Sequence, residues 1–459
     1  MKRFLSFFRD AFLADENTDF TTMPIRRSIG LLAIPMVVEM GFEALFAIVD
    51  AFFVARYVGV TGVAVVGLTE SVLTLIYSLA WGLSTAATAL IARRIGEKKF
   101  QMAGLTVGQL ISLSTGIGLL LAGLGMFFAQ DVLRVMGGSD LVVEQGIWYT
   151  RLSFASAPVI LLLFTLGGAL RGAGFATHAM KAVIIANIIN MVLDGLFVGV
   201  LDYGVAGAAA ATGIGRTVGV GIQLFYLFGR TQSLPIFRQH LFPIVSILKK
   251  IIQLTLGGAG QFLIQSASWV FLIRILSSYG DEIVAGYTIG IRIIVFTILP
   301  SWGLANAAAT LVGQNLGAGQ PEKAMKSAIQ TAWYNMGFLS LVAVFFYVMA
   351  PTLVGLFDES PKVLATGVQC LQILCLGYVF FGFGMVMSQA LNGAGDTLTP
   401  TWINFFCFWV IEIPLAFGLA TYTSLEENGV FYAIVISESL LAVLALYFFR
   451  KGKWKTQKI

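Results

Sequence analysis

Polar residues come in short bursts along this chain, and the stretches between them are apolar with few charges. Twelve apolar stretches are long enough to cross a bilayer, at about 20 residues each. They run roughly over 29–56, 63–92, 102–129, 142–170, 179–200, 205–229, 249–277, 283–313, 324–350, 362–390, 400–420 and 429–449. The pattern predicts an all-α integral membrane protein.

The connections alternate in charge. One set is basic: Arg93, Arg94, Lys98 and Lys99; Arg171 and Lys181; Arg230, Arg238, Lys249 and Lys250; Lys323 and Lys326. The arm with Lys2, Arg3, Arg9, Arg26 and Arg27 and the tail "RKGKWKTQKI" belong with it. The other set is mostly acidic: Asp131, Asp140, Glu144, Asp202, Asp281, Glu282, Asp358, Glu359, Glu426 and Glu427. Positive residues favour the cytoplasmic side, so the basic set and both ends are expected there. An even number of spans agrees.

Composition supports lipid as the main solvent. The chain has 459 residues, 58% hydrophobic and 12% charged, against about a quarter charged in soluble proteins. Its 50 glycines suit closely packed membrane helices. Cys370, Cys375 and Cys407 lie in apolar stretches and fit packing better than disulfides or metal. His178 and His240 fall in polar connections, so no histidine metal site is expected. The first 28 residues lack a signal-peptide core and are read as a cytoplasmic arm with a short surface helix.

A repeat organises the spans. "WGLSTAATALIARRIG" from Trp81 matches "WGLANAAATLVGQNLG" from Trp302, and "ALRGAG" from Ala169 matches "ALNGAG" from Ala390. The offset is the same in both, 302 − 81 = 390 − 169 = 221. This predicts a first lobe at 29–230, a connection at 231–248, a second lobe at 249–450 and a basic tail at 451–459. Six spans per half make the repeats parallel, a common build among secondary transporters.

Acids remain inside the spans: Glu39, Glu43, Asp50, Glu70, Asp194, Glu412 and Glu438, with Arg151, Arg216, Arg274 and Arg292 as bases. Each costs at least about 2.5–3.5 kcal/mol at the bilayer centre, so each calls for a partner, a water-filled cavity or a function. At about 100° per residue, Glu39, Glu43 and Asp50 share one helical stripe. Pro35 precedes it and is expected to bend the helix. Asn187, Asn190 and Asp194 share another face. An amide-lined carboxylate suits a proton or a sodium ion, and interhelical pairing is the structural alternative for all these groups. At the repeat offset Asp50 falls on Phe271 and Asp194 on Leu415, and the seventh span offers only Gln261 and Gln265. Ion chemistry is therefore expected in the first half. Arg292 and Glu412 are left as possible charge partners.

Four stretches together resemble the multidrug and toxic compound extrusion (MATE) transporters: "LAIPMVVEMGFEALFAIVDAFFVARYVG", "GLSTAATALIARRIGEKK", "ALRGAGFATHAMKAVIIANIINMVLD" and "ALNGAGDTLTPTWINFFCFWVIEIPLA". The resemblance covers nearly the whole chain and is nearest the DNA-damage-inducible and archaeal branch. It implies a V-shaped pair of six-helix lobes that export amphipathic cations by alternating access against inward H⁺ or Na⁺. By position, Asp50 resembles the family's first-helix acid, Pro35 its helix-bending proline, and Asn190 and Asp194 its fifth-helix polar pair. Tyr149 and Thr212 look like the rest of that site. Glu43 stands where the family commonly has Gln. The acids that one branch carries in helices seven and ten are missing here.

These readings set the expected site: Asp50, Asp194, Asn190 and Glu43 for ion coupling, and Tyr149, Asn187, Thr212, Phe46 and Glu39 on the cavity wall. No cofactor is expected; the coupling ion is H⁺, or Na⁺ held by Asp50, Asp194, Asn190 and Thr212. Partners are small cationic amphiphiles and lipid, not nucleic acid, and the protein is expected to be monomeric in a prokaryotic cytoplasmic membrane. A lipid-linked precursor or polysaccharide flippase of the same superfamily is the alternative, kept open by the intramembrane arginines. An enzyme is disfavoured because no nucleophile, histidine or metal constellation is present.

Overall fold

A computed structural model describes residues 11–12, 18–229, 234–457 and 459. Most of the expected arm at 1–28 and the start of the connection at 231–248, with Arg230, lie outside the described residues. Among the described residues, twelve helices are long and apolar enough to span a membrane. They are α1 (Ile25–Val58), α2 (Thr61–Gly96), α3 (Phe100–Phe127), α4 (Asp140–Ala173), α5 (Ala176–Val200), α6 (Gly204–Gly229), α7 (Val245–Tyr279), α8 (Asp281–Gly317), α9 (Pro321–Gly355), α10 (Pro361–Gly393), α11 (Leu398–Tyr422) and α12 (Asn428–Lys451). Each contains one of the twelve apolar runs nearly whole and extends past it at one or both ends. Backbone pairing continues through polar residues until a glycine or proline stops it.

That continuation corrects one reading. Arg171 and Lys181 are not in a polar connection: α4 carries Arg171 and α5 carries Lys181, with only Gly174 and Phe175 between the two helices. His178 is likewise helical, its ring centre 4.3 Å from that of Tyr226. His240 is buried in a short 3-10 turn, where its Nδ1 accepts from the Phe237 amide at 3.3 Å. The three cysteines are buried and free. Pro35 sits inside α1, which continues through it. α4 is interrupted at Ser156, two residues before Pro158.

The repeat reappears as matched contacts. Gly174 and Gly395, the last residues of the two "GAG" motifs, end their helices at φ +93° and +88°. A side chain there would be strained, so both motifs close on glycine. A Cβ on Gly96 would strike the Gln314 carbonyl, and one on Gly317 would strike the Arg93 carbonyl. Residues 96 and 317, and 93 and 314, are related by the same offset, so α2 and α8 cross symmetrically. Trp81 and Trp302, also equivalent, touch edge to face with ring centres 4.5 Å apart. A residue that meets its own counterpart lies on the pseudo-two-fold axis.

Contacts between the halves gather at the end carrying the basic loops. Thr310 Oγ1 donates to the Arg171 carbonyl at 3.2 Å and Gln314 Nε2 to the Gly172 carbonyl at 2.9 Å. Arg93 reaches the Gln457 carbonyl at 2.8 Å, and Lys323 the Thr21 carbonyl at 2.5 Å. The basic end is sealed.

Candidate functional site

Three short π-helical segments mark the intramembrane acids. Val54–Val58 follows Asp50 in α1, Gly195–Val200 begins directly after Asp194 in α5, and Phe405–Glu412 ends on Glu412 in α11. A π turn inserts a residue into the helix and re-aims the side chains around it, a device frequent beside functional groups.

In the first half the expected residues converge on one guanidinium. Arg216 of α6 is 7% exposed, with Nη2 3.9 Å from Glu43 Oε1. Its Cζ lies 5.8 Å from the centre of the Phe46 ring and 5.4 Å from that of Tyr77, within the range of cation–π attraction. Asn187 Nδ2 donates to Glu43 Oε2 at 3.2 Å, and Asn190 Nδ2 to Thr212 Oγ1 at 3.1 Å. Asp50 lies within electrostatic reach of Arg216, Glu70 and Asp194. Tyr149 is buried beside Glu70 and Asp50.

Three carboxylates (Glu43, Asp50 and Glu70) therefore share Arg216, and Asp194 adjoins them through Asp50. Asp194 is 0% exposed with the Asn190 side chain beside it, and among the described residues neither of its oxygens, nor Asn190 Oδ1, has a hydrogen bond of good geometry. Buried oxygens of this kind normally cost free energy until a proton or a cation satisfies them. Among the described residues, no three of His, Cys, Asp and Glu are grouped to hold a metal ion.

Glu39 stands apart from this cluster. It is 2% exposed, and its Oε1 pairs with Arg171 Nη1 at 2.5 Å, while Arg171 Nη2 donates to Ser84 Oγ at 2.9 Å. It therefore braces α1, α2 and α4 instead of standing open on a cavity wall. Arg292 is exposed on α8, with no carboxylate at ion-pair distance among the described residues. Glu412 is buried at 1% exposure, and the charged group beside it is Glu438; no base lies against it among the described residues. Arg171, Arg216, Tyr77 and Glu70 complete the arrangement without having been singled out as site residues. Arg216 and Glu70 carried a signal as charges inside spans; Tyr77 carried none.

Known proteins share this frame. A family model described as MatE matches residues 35–196 and 259–417, once in each half. "Probable multidrug resistance protein YoeA" of Bacillus subtilis is 26% identical over 443 residues, covering 94% of this chain and 95% of that protein. A crystal structure of a MATE in complex with MaL6 superposes with a TM-score of 0.90 at 28% identity, over 94% of this chain and 97% of that one. An outward-facing multidrug resistance MATE transporter of the MOP superfamily superposes at 0.89, also at 28% identity, over 94% and 96%. With its duplicated helices, its sealed basic end and its acids gathered between spans, the chain belongs to the MATE family of membrane transporters and is not an enzyme.

Proposed function

We propose that the protein exports amphipathic cationic compounds across a prokaryotic cytoplasmic membrane in exchange for inward protons. The observation that carries this reading is the fully buried Asp194 carboxylate, which lies beside Asp50 and Asn190 with no base against it among the described residues. Protonation of Asp50, Asp194 and Glu43 removes the negative charge that attracts a cation and so favours its release. Asn190 and Thr212 hold the Asp194 face, and Phe46 and Tyr149 supply apolar wall. With the basic end and both termini in the cytoplasm, the sealed end faces inward and release is toward the opposite, outer end. The lobes are 29–230 and 249–450, flanked by the arm, the connection at 231–248 and the tail, and one chain suffices as the working unit.

A second reading has its own support. Asn190 Oδ1 and both Asp194 oxygens are orphaned together, and an oxygen-only set is what a hard monovalent cation takes. Sodium held by Asp50, Asp194, Asn190 and Thr212 would couple the same export. Proteoliposomes carrying a cationic dye, with a proton or a sodium gradient imposed separately, decide between them. Transport driven by the proton gradient alone supports the first reading, and transport driven by sodium alone replaces it with the second. Movement of the dye under neither gradient overturns both.

A further inference from the structure

The second half holds a buried acidic pair that the coupling scheme leaves unused. Glu412 lies in α11 and Glu438 in α12, at 1% and 8% exposure. The titratable groups around them are each other, Cys407 and Tyr287; no Lys, Arg or His is among them. Ser268 of α7 lies against Glu412, whose Oε2 has no partner.

Glu438 also faces a void. A cavity of about 90 Å³ opens between the halves, walled by Trp81, Phe262, Trp302, Phe381 and Phe408, and Glu438 is its one charged lining residue among those described. Among the described residues, no hydrogen bond or ion pair reaches the Glu438 side chain. Ser388 Oγ, also in the lining, is buried without a partner. The volume suits a compact ammonium head, or about three waters at ~30 Å³ each, and is too small for a whole drug-sized guest. A lone carboxylate inside an aromatic box is the chemistry that selects an organic cation, by Coulomb attraction and by the ring faces.

We propose that this cavity is a second cation subsite, in which Glu438 receives the ammonium head of the exported compound. Glu412 acts through Glu438 as a positioning residue: two buried acids without a base do not both ionise, and Glu412 packed behind the contact backs the acid that meets the cation. The subsite rests on the cation-export reading, yet it is distinct from the Asp50–Asp194 cluster.

Equilibrium dialysis of radiolabelled benzyltrimethylammonium against the full-length protein in lipid nanodiscs tests it. Glu438→Gln should weaken binding about tenfold or more, Glu438→Asp should retain most of it, and Glu412→Gln should fall between. Gln265→Cys, half-buried on the same lining, should be labelled by a small methanethiosulfonate reagent and protected by the same ion, a readout that does not require Glu438→Gln to fold. Unchanged affinity in Glu438→Gln, or no labelling or no protection at Gln265→Cys, overturns the subsite. Ethidium efflux by the unmodified protein separates the two ideas. If efflux persists while the binding tests fail, the export reading stands without the subsite; if efflux is absent while protection is seen, the cavity binds an organic cation but its role in export falls with the export reading.

Discussion

The two halves share a frame and differ in charge. Where the first half ties α1 to α4 with the Glu39–Arg171 ion pair, the second joins α7 to α10 with amides. Gln261 and Asn392 exchange two hydrogen bonds there, each 3.0 Å long. Asn392 is the repeat equivalent of Arg171, since 171 + 221 = 392. The acids diverge in the opposite sense. The first-half cluster contains a resident cation, Arg216, whereas Glu412 and Glu438 have none. Duplication preserved the backbone contacts and released the polar positions, so a charge can be a brace in one lobe and an opening for a guest in the other.

The largest expected effect comes from removing the acid that most separates the halves. Asp50→Asn should abolish gradient-driven dye efflux while thermal unfolding stays within a few degrees of the unmodified protein, and Asp194→Asn should do similar damage. Undiminished efflux in Asp50→Asn would remove the first half's claim to the coupling. Next, Arg171→Met leaves Glu39 buried without a base and should cost about 3–5 kcal/mol of stability. Asn392→Ala breaks only neutral hydrogen bonds and should cost about 1–3 kcal/mol. Chemical unfolding of the two variants side by side measures the gap, and equal losses would mean that the ion pair and the amide pair are interchangeable braces.

A smaller effect is expected at the crossing of α2 and α8. Gly317→Val places carbon against the Arg93 carbonyl and should strain the sealed end by about 1–3 kcal/mol. Spin labels on the basic loops should then report longer distances between the halves; an unaltered distance distribution would show that the seal tolerates added bulk. Smallest of all, Gln265→Ala trims a neutral cavity wall and should reduce dye efflux by no more than about threefold. A severe loss would shift weight from the first-half cluster to the second.

The spans and the repeat were legible because the signals that encode them are local. An apolar run long enough for a bilayer reads as a helix, and glycines at close crossings recur at one offset because nothing larger fits. The stripe of Glu39, Glu43 and Asp50 was equally legible, being three positions on one helix. What each acid meets was not. Arg171 near the end of an apolar run reads as a loop cation, but its helix continues and takes the guanidinium inward to Glu39. Glu412 escaped the repeat search because it lies three residues, about one turn, before Leu415, the equivalent of Asp194. Its neighbour Glu438 is on another helix, and no periodicity within a single span relates the two.

The edge-to-face tryptophans on the axis carry a historical consequence. Before fusion, a half-length ancestor would have met its own copy there as a two-fold dimer. In such a dimer every substitution appears twice, so a buried arginine introduced in one lobe is unavoidably introduced in the other. Joining the copies into one chain ended that constraint, and only then could Arg171 and Asn392, or Arg216 and Ser437 (216 + 221 = 437), part ways.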